Sequence, residues 1–496
     1  MAEDLRPDGT DVRIGDVVVS SPGLIGRVEV HPAGGAGMRG AEAASAELLS
    51  ALARNGFDEQ LTVELLDPVE VPELASGATR STAAGGPGVR FEVPGPGTGL
   101  GQVVLAKDEQ GVLSWVLPDD ITPAEVATRG GDRRSYTIAR RVAPVDPGAD
   151  PSRGLLGALG SKLLKVLVFP LVDPVIGEVG EYFVSRWEQR YRPVRLRRFT
   201  PEDHALPQPV DPSGPDWAAL AAGPALLFVH GTASSSHAGF GGLPREAVLR
   251  LHERYGGRVL AFDHRTLSVD PVVNARELVE RVPEGAGLEV DVLAHSRGGL
   301  VGRVLCELPG EVGLDPGRLR VRTLVMVATP NAGTALAHPD NLDRWLDRMT
   351  NLLQLVPVNA VTDVLDVVLT VVKQLALGVL KGLEGLMSMN PAGDFLTTRL
   401  NVPAPHAAVY RAVASDYDPP PGAPLLACAR DGLTDLVFGS APNDLVVPTD
   451  GVFAANGASA FPVGEPEVFA AADAVDHSGY WARPRVVTAL DRWLTG

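Results

Sequence analysis

Cysteine is almost missing from this chain of 496 residues, which carries only Cys306 and Cys428. Both sit in apolar surroundings and no C-x-x-C spacing occurs. A disulfide framework and a cysteine zinc site are therefore excluded, and buried thiols in a reducing, cytoplasmic setting are expected. No H-E-x-x-H motif occurs either. Positive charge is also short. Lys and Arg number 44 against 61 Asp and Glu, a formal charge of −17. So acidic a chain is a poor general binder of nucleic acid, because phosphate recognition needs a positive field. The densest basic stretch, RPVRLRRFT (192–200), is expected to be a solvated edge strand. The start, MAEDLRPDGTDVRIGD, has neither the basic opening nor the apolar core of a secretory signal. No uncharged apolar run reaches the roughly 18 residues of a membrane span. The 55 glycines and 42 prolines gather in loops without a period, which excludes collagen and solenoids.

Three regions are present. Residues 1–143 hold short strand-like runs (GDVVVSS, LTVELLDPVEV, GVRFEV) and a hairpin, GQVVLAKDEQGVLSWVLP, with DEQG at the turn. One helix, AEAASAELLSALARNGF, stops at Gly56. A small β-rich accessory domain is expected, and recruitment of a protein partner is a role such a domain could play. GPGTGLG (95–101) contains Pro96 and leads into a strand, so it reads as a plain loop and not a phosphate loop. A Pro/Gly-rich linker spans 144–153. Residues 154–189 read as an apolar helix broken near Pro170 and Pro174, packed on the domain C-terminal to it. From about 190 to 496, buried-strand runs alternate with amphipathic helices. That pattern predicts an α/β domain, a mostly parallel sheet with helices on both faces. His230, Asp263, Ser296 and Thr329 each close one of four successive strands, where such sheets bind ligands.

The stretch VDVLAHSRGG (290–299) passes from an apolar strand to a helix through His295-Ser296-Arg297. A tight strand–turn–helix crowds the backbone beside its central residue, so small neighbours are needed. Ala294 and Gly298 supply them. Ser296 reads either as a helix cap or as a nucleophile. Three further features favour the nucleophile. FVHGTASS ends an earlier strand at His230-Gly231, and a glycine there lets main-chain N–H groups reach a developing oxyanion. The amides of Thr232 and Arg297 would form that hole, with His230 structural. Of the histidines after Ser296, His338 comes too early and His406 opens a strand. His477 lies in a loop after an apolar run and is the expected base. In the α/β-hydrolase arrangement, which the serine turn and the His-Gly strand end resemble, the acid falls between serine and histidine in the chain. Asp444 in NDLVVP is favoured, Asp435 is the fallback, and Asp450 reads as a turn residue.

These residues together resemble the α/β-hydrolase superfamily, and within it bacterial lipase-like hydrolases. HGT at 230–232, AHSRGG at 294–299, VATPNAGT at 327–334, NDLVVP at 443–448 and DHSGYW at 476–481 carry the resemblance, over about 190–496. It implies ester hydrolysis through an acyl-enzyme, with Ser296, His477 and Asp444 as the triad and no metal or organic cofactor. Amidase or thioesterase chemistry uses the same triad, and an inactive scaffold on this fold is the other class that stays open. An insertion at about 335–405 is expected to be helical. In its centre Asp363, Asp366, Thr370, Lys373, Lys381 and Glu384 form a narrow polar stripe on an otherwise apolar surface. It is either a helix buried beneath the N-terminal domain or a cap over the site that binds acyl chains or a membrane surface. A hydrophobic, lipid-like ester is the expected substrate.

Overall fold

The computed structural model describes residues 2–33, 43–70, 88–107, 112–119, 133–138, 162–171, 183–211, 214–352, 358–404, 406–418, 438, 441–455, 461 and 463–496. The expected linker, the DEQG turn, Cys428 and Asp435 lie outside the described residues. The chain divides into two compact units, Met1–Phe183 with Leu346–Leu380, and Val184–Trp345 with Lys381–Gly496.

The first unit is built from β1 (Ala2–Asp4), β2 (Val12–Ile14), β3 (Val17–Ser20), β4 (Leu24–Pro32), β5 (Asp58–Glu70), β6 (Val89–Pro94), β7 (Leu100–Lys107), β8 (Leu113–Val116), β9 (Arg133–Ile138) and β10 (Lys162–Pro170). Among the described residues these form two antiparallel sheets, ordered β1-β4-β5-β10-β7-β8 and β2-β3-β6-β9. Alternating side chains meet in one core, Val19, Phe91 and Tyr136 from the smaller sheet with Val63, Val104, Leu164 and Val166 from the larger. The hairpin expected around DEQG appears as the antiparallel pair β7–β8. The helix Ala43–Arg54 stops at Gly56, whose φ of +72° only glycine adopts freely.

Residues 162–170 differ from the expected helix: they are β10, inside the larger sheet between β5 and β7. A short apolar run does not distinguish a buried helix from a strand with both faces covered. Here Leu164 and Val166 fill the inter-sheet core, and Phe169 packs on Phe57 with ring centres 5.2 Å apart. Lys165, buried on this strand, pairs with Glu59 at 2.5 Å. Further along, Phe183–Tyr191 is helical.

The insertion is helical, over Leu342–Leu352 and Val358–Leu375, but from Leu346 to Leu380 it groups with the first unit and not with the residues on either side of it in sequence. Trp115 Nε1 donates to Thr350 Oγ1 at 2.9 Å, and Asn351 bonds both the amide and the carbonyl of Leu113. Asn55 donates to Asp366 at 2.8 Å, and the Lys373 ammonium lies over the Phe57 ring. Part of the polar stripe is therefore internal: Thr370 and Lys373 are buried. Among the described residues, no helix is long and apolar enough to cross a membrane.

The second unit carries β11 (Arg195–Arg198), β12 (Ala225–Val229), β13 (Val259–Asp263), β14 (Leu288–His295), β15 (Leu319–Val327), β16 (Val409–Ser415) and β17 (Glu467–Phe469). The sheet order is β11-β13-β12-β14-β15-β16-β17, and every pairing is parallel except β11 with β13. β12 is apolar throughout and β13 is apolar up to its last residue, Asp263, and both are buried along their whole length, as a sheet covered on both faces requires. β13 lies on one side of β12 and β14 on the other, so the winding direction reverses there. Crevices at the carboxyl ends of strands open at such reversals. The basic stretch does contain the edge strand β11, and most of it is partly exposed as expected, Arg198 included, but Arg197 is buried. Arg195 pairs with Asp263 at 2.7 Å, and Arg197 is buried beside Asp203. A strand next to acidic loop ends finds counter-ions within its own fold, which composition does not register.

Candidate active site

Ser296 follows the middle strand of the seven, β14, and precedes the helix Gly298–Glu307. Its φ is +53°, a left-handed conformation that a side chain resists. The turn survives because nothing larger stands beside it. A Cβ on Gly231 would meet Ser296 Cβ at 2.6 Å, and one on Gly298 would meet the Val229 carbonyl at 2.3 Å. Ala294 is fully buried in the strand. Ser296 is not a cap: Arg297 holds the N-cap position and makes no side-chain cap bond.

Ser296 Oγ lies 3.0 Å from His477 Nε2, and His477 Nδ1 lies 2.8 Å from Asp444 Oδ2. An ionised carboxylate only accepts, so Nδ1 carries the ring proton. Nε2 is then the acceptor that faces the serine hydroxyl. The His477 amide donates to the Asp444 carbonyl at 2.9 Å, and its carbonyl accepts from His295 Nε2 at 3.0 Å. The ring is thus held at its backbone from both sides.

Asp444 lies in the loop between β16 and β17 and is almost wholly buried. Its Oδ1 accepts the amides of Val446 and Val447, and its Oδ2 also accepts the Tyr480 hydroxyl at 2.9 Å. Burial by itself would raise this carboxyl. The His477 ring, the Val447 amide and Tyr480 overcome that and hold it below the ordinary carboxylate value. Burial keeps the His295 imidazole neutral down to about 3 and that of His230 down to about 4.

His230 ends β12. It accepts the His264 amide at Nε2 (3.2 Å), so its Nδ1 donates to the Gly231 carbonyl at 3.0 Å. This buried ring shapes the turn and faces its own loop. After it come Thr232, half-buried, and Ala233 at φ +57°. Among the described residues, neither the Thr232 nor the Arg297 amide donates to another backbone group. The Arg297 side chain is fully buried and donates to Gly385 O (2.8 Å), Asn274 Oδ1 (2.9 Å) and Val269 O. Burial lowers this guanidinium to about 10, which leaves it charged at neutral pH.

Ser296, His477 and Asp444 therefore come together in one hydrogen-bonded series. His338 begins a short 3-10 turn, His406 precedes β16, and Asp450 begins another 3-10 turn. Tyr480 and the His295–His477 bond carried no sequence signal beyond their place within AHSRGG and DHSGYW. Glu188 and Asn274 carried none. Metal-ligating side chains converge at one place among the described residues, Glu29 and His31 on β4 with Glu64 on β5. Glu29 already pairs with Arg27 at 3.4 Å and all three are partly exposed, as on an ordinary solvated sheet face.

A mostly parallel sheet whose middle strand ends in a left-handed serine before a helix defines the second unit as an α/β-hydrolase fold. The chain belongs to the family described as a domain of unknown function, DUF7379, whose model matches residues 191–495. No curated protein matches it. Solved structures similar to it include the mature lipase BlEst2 of Bacillus licheniformis, at 18% identity and a TM-score of 0.36, covering 58% of this chain and 96% of that one. Lipase 1 of Pelosinus fermentans is 15% identical with a TM-score of 0.38, covering 55% and 98%. The metagenomic carboxyl esterase MGS0156 is 15% identical with a TM-score of 0.32, covering 58% and 79%.

Proposed function

We propose that the protein is a serine hydrolase that cleaves a carboxylic ester of a hydrophobic, lipid-like substrate through an acyl-enzyme. The hydrogen-bonded series from Asp444 through His477 to a strained Ser296 carries this reading. Ser296 Oγ attacks the ester carbonyl while His477 Nε2 takes its proton. Asp444 holds the ring in the tautomer that can accept and stabilises the imidazolium that forms. The Thr232 and Arg297 amides receive the oxyanion, the second at the start of a helix whose N–H groups point the same way. His477 returns its proton to the leaving alcohol, then draws one from a water that attacks the acyl carbonyl; collapse of that adduct breaks the bond to Ser296 Oγ, which takes the proton back from His477 as the acid leaves. Met389, whose sulfur lies 3.6 Å from the Thr232 hydroxyl, offers an apolar neighbour to an acyl chain.

Turnover of a p-nitrophenyl acyl series, short to long, by wild type and Ser296→Ala tests the proposal. The expected result is hydrolysis that favours long chains and falls at least about a thousandfold in the variant. Fluorophosphonate should label Ser296 in wild type. No turnover of any ester and no labelling would overturn the reading, whereas cleavage of matched amides or thioesters in preference to esters would redirect the substrate class.

A further inference from the structure

Glu188, on the helix Phe183–Tyr191, is a buried carboxylate with every acceptor position in use. Its Oε1 accepts the amides of Thr266 (2.7 Å) and Leu267 (3.0 Å), and its Oε2 accepts the amide (2.8 Å) and hydroxyl (2.6 Å) of Ser268. Three successive N–H groups converging on one anion make a rigid, charge-assisted grip. The Thr266 hydroxyl lies 3.5 Å from Oε1 and itself accepts the Ala233 amide at 3.0 Å. Ala233 is the left-handed residue directly after Thr232.

The far end of the same loop meets Arg297. Its guanidinium donates to Val269 O and to Gly385 O, and the Gly385 amide donates back to Leu267 O at 2.8 Å. Loop 266–269 therefore presents N–H groups to a buried anion and a carbonyl to a buried cation. One of its ends holds the residue beside the Thr232 amide. The other holds the side chain of the residue that owns the second candidate amide.

We propose that Glu188 is a positioning residue: by clasping loop 266–269 it fixes Thr266 beneath Ala233 and so aims the Thr232 amide at the oxyanion. This rests on the hydrolase reading of the site. Hydrogen bonding to a preorganised donor is worth most when the donor need not move during reaction. Ala233 resists its own φ, so without the Thr266 acceptor the turn relaxes and the amide swings away.

Thr266→Val keeps the shape and removes the acceptor, Thr266→Ser keeps the acceptor, and Glu188→Gln turns one acceptor into a donor facing Ser268 N–H. Three readouts apply: kcat and KM on a p-nitrophenyl ester, affinity for a trifluoromethyl ketone that mimics the tetrahedral adduct, and amide hydrogen exchange over 231–236. Thr266→Val is expected to lower kcat about tenfold or more with KM within about twofold, and to weaken the ketone by the same factor. Thr266→Ser should restore most of the loss, and exchange over 231–236 should speed up in Thr266→Val and Glu188→Gln. Wild-type kcat and ketone affinity in Thr266→Val would overturn the proposal. Should Glu188→Gln fail to fold, the threonine pair decides it. A wild type inactive on every ester would sink the hydrolase reading, and exchange then decides the clasp: faster supports it, unchanged overturns it.

Discussion

At Ser296 the backbone carries a strain that its side chain does not relieve. The described residues hold six non-glycine positions at positive φ, and Ala233, Ser296, Ala328 and Leu445 among them follow β12, β14, β15 and Asp444. Left-handed backbone costs an ordinary residue about 1–2 kcal/mol and persists where the surroundings over-determine it. Ser296→Gly should therefore be more stable than Ser296→Ala by about 1 kcal/mol, both being inactive. Urea midpoints of the two variants check this. Equal midpoints would mean that the turn imposes no strain at 296. Asp444 shows the complementary case, a buried charge made tolerable by amides and a phenol in addition to its histidine.

Loops, not strands, are where this unit concentrates its buried polar bonds. The Arg297 guanidinium ties the serine turn to Asn274 on the helix Pro271–Arg281, to Val269 in the loop before it and to Gly385 in the helix Glu384–Met387. A lysine brings one compact charge to acceptors spread over a planar fork, so it leaves some of them unpaired. Arg297→Lys is expected to lose about 2–4 kcal/mol of stability, the cost of one or two orphaned buried acceptors. A melting temperature equal to wild type would contradict that. At the same scale β10 shows how an apolar stretch takes its secondary structure from its neighbours. β5 and β7 offer two free edges, and filling both satisfies more backbone than a helix on a sheet face would.

Over the whole molecule, burial and connectivity each have a measurable consequence. An unfolded chain takes up a proton on each histidine near 6.5, whereas folded His295 and His230 hold out to about 3 and 4. The unfolded state therefore binds more protons across that window, and stability falls as pH drops below about 6.5, by about 1.4 kcal/mol per pH unit for each ring. Asp444 and Asp263, both held below their ordinary values, add losses in the same direction at still lower pH. Denaturant midpoints between pH 7 and 5 should decline, and His295→Gln should decline less steeply. Identical slopes would show that His295 is not held neutral. Connectivity matters because Leu346–Leu380 belongs with the N-terminal strands. Deleting residues 1–143 removes Leu113 and Trp115, the partners of Asn351 and Thr350, and exposes buried apolar side chains between Leu365 and Leu375. The truncated chain is expected to aggregate or to lose helical circular dichroism. A monodisperse, fully helical product would show that the region is separable after all.

The α/β pattern of the second unit and the serine turn were legible along the chain, because each depends on local geometry, whereas the choice of Asp444 and His477 as partners of Ser296 leaned on the order found in the family the chain resembles. A buried parallel strand must be apolar throughout, and a crowded turn must have small neighbours. The antiparallel strands of the first unit were legible for the same reason, through their alternation. Four matters were decided only in three dimensions. Residues 162–170 became a strand because two sheet edges were there to pair with. The insertion's helices joined the first unit because Thr350, Asn351 and Asp366 found partners there. Arg197 turned inward because Asp203 lies beside it, and Arg195 found Asp263 at the end of the neighbouring strand. Glu188 reached the loop after β13, 78 residues along the chain at Thr266. Local patterns report what a residue must do within its own turn or strand. Which distant group neutralises a buried charge or satisfies an open amide is a property of packing, and no spacing in the chain encodes it.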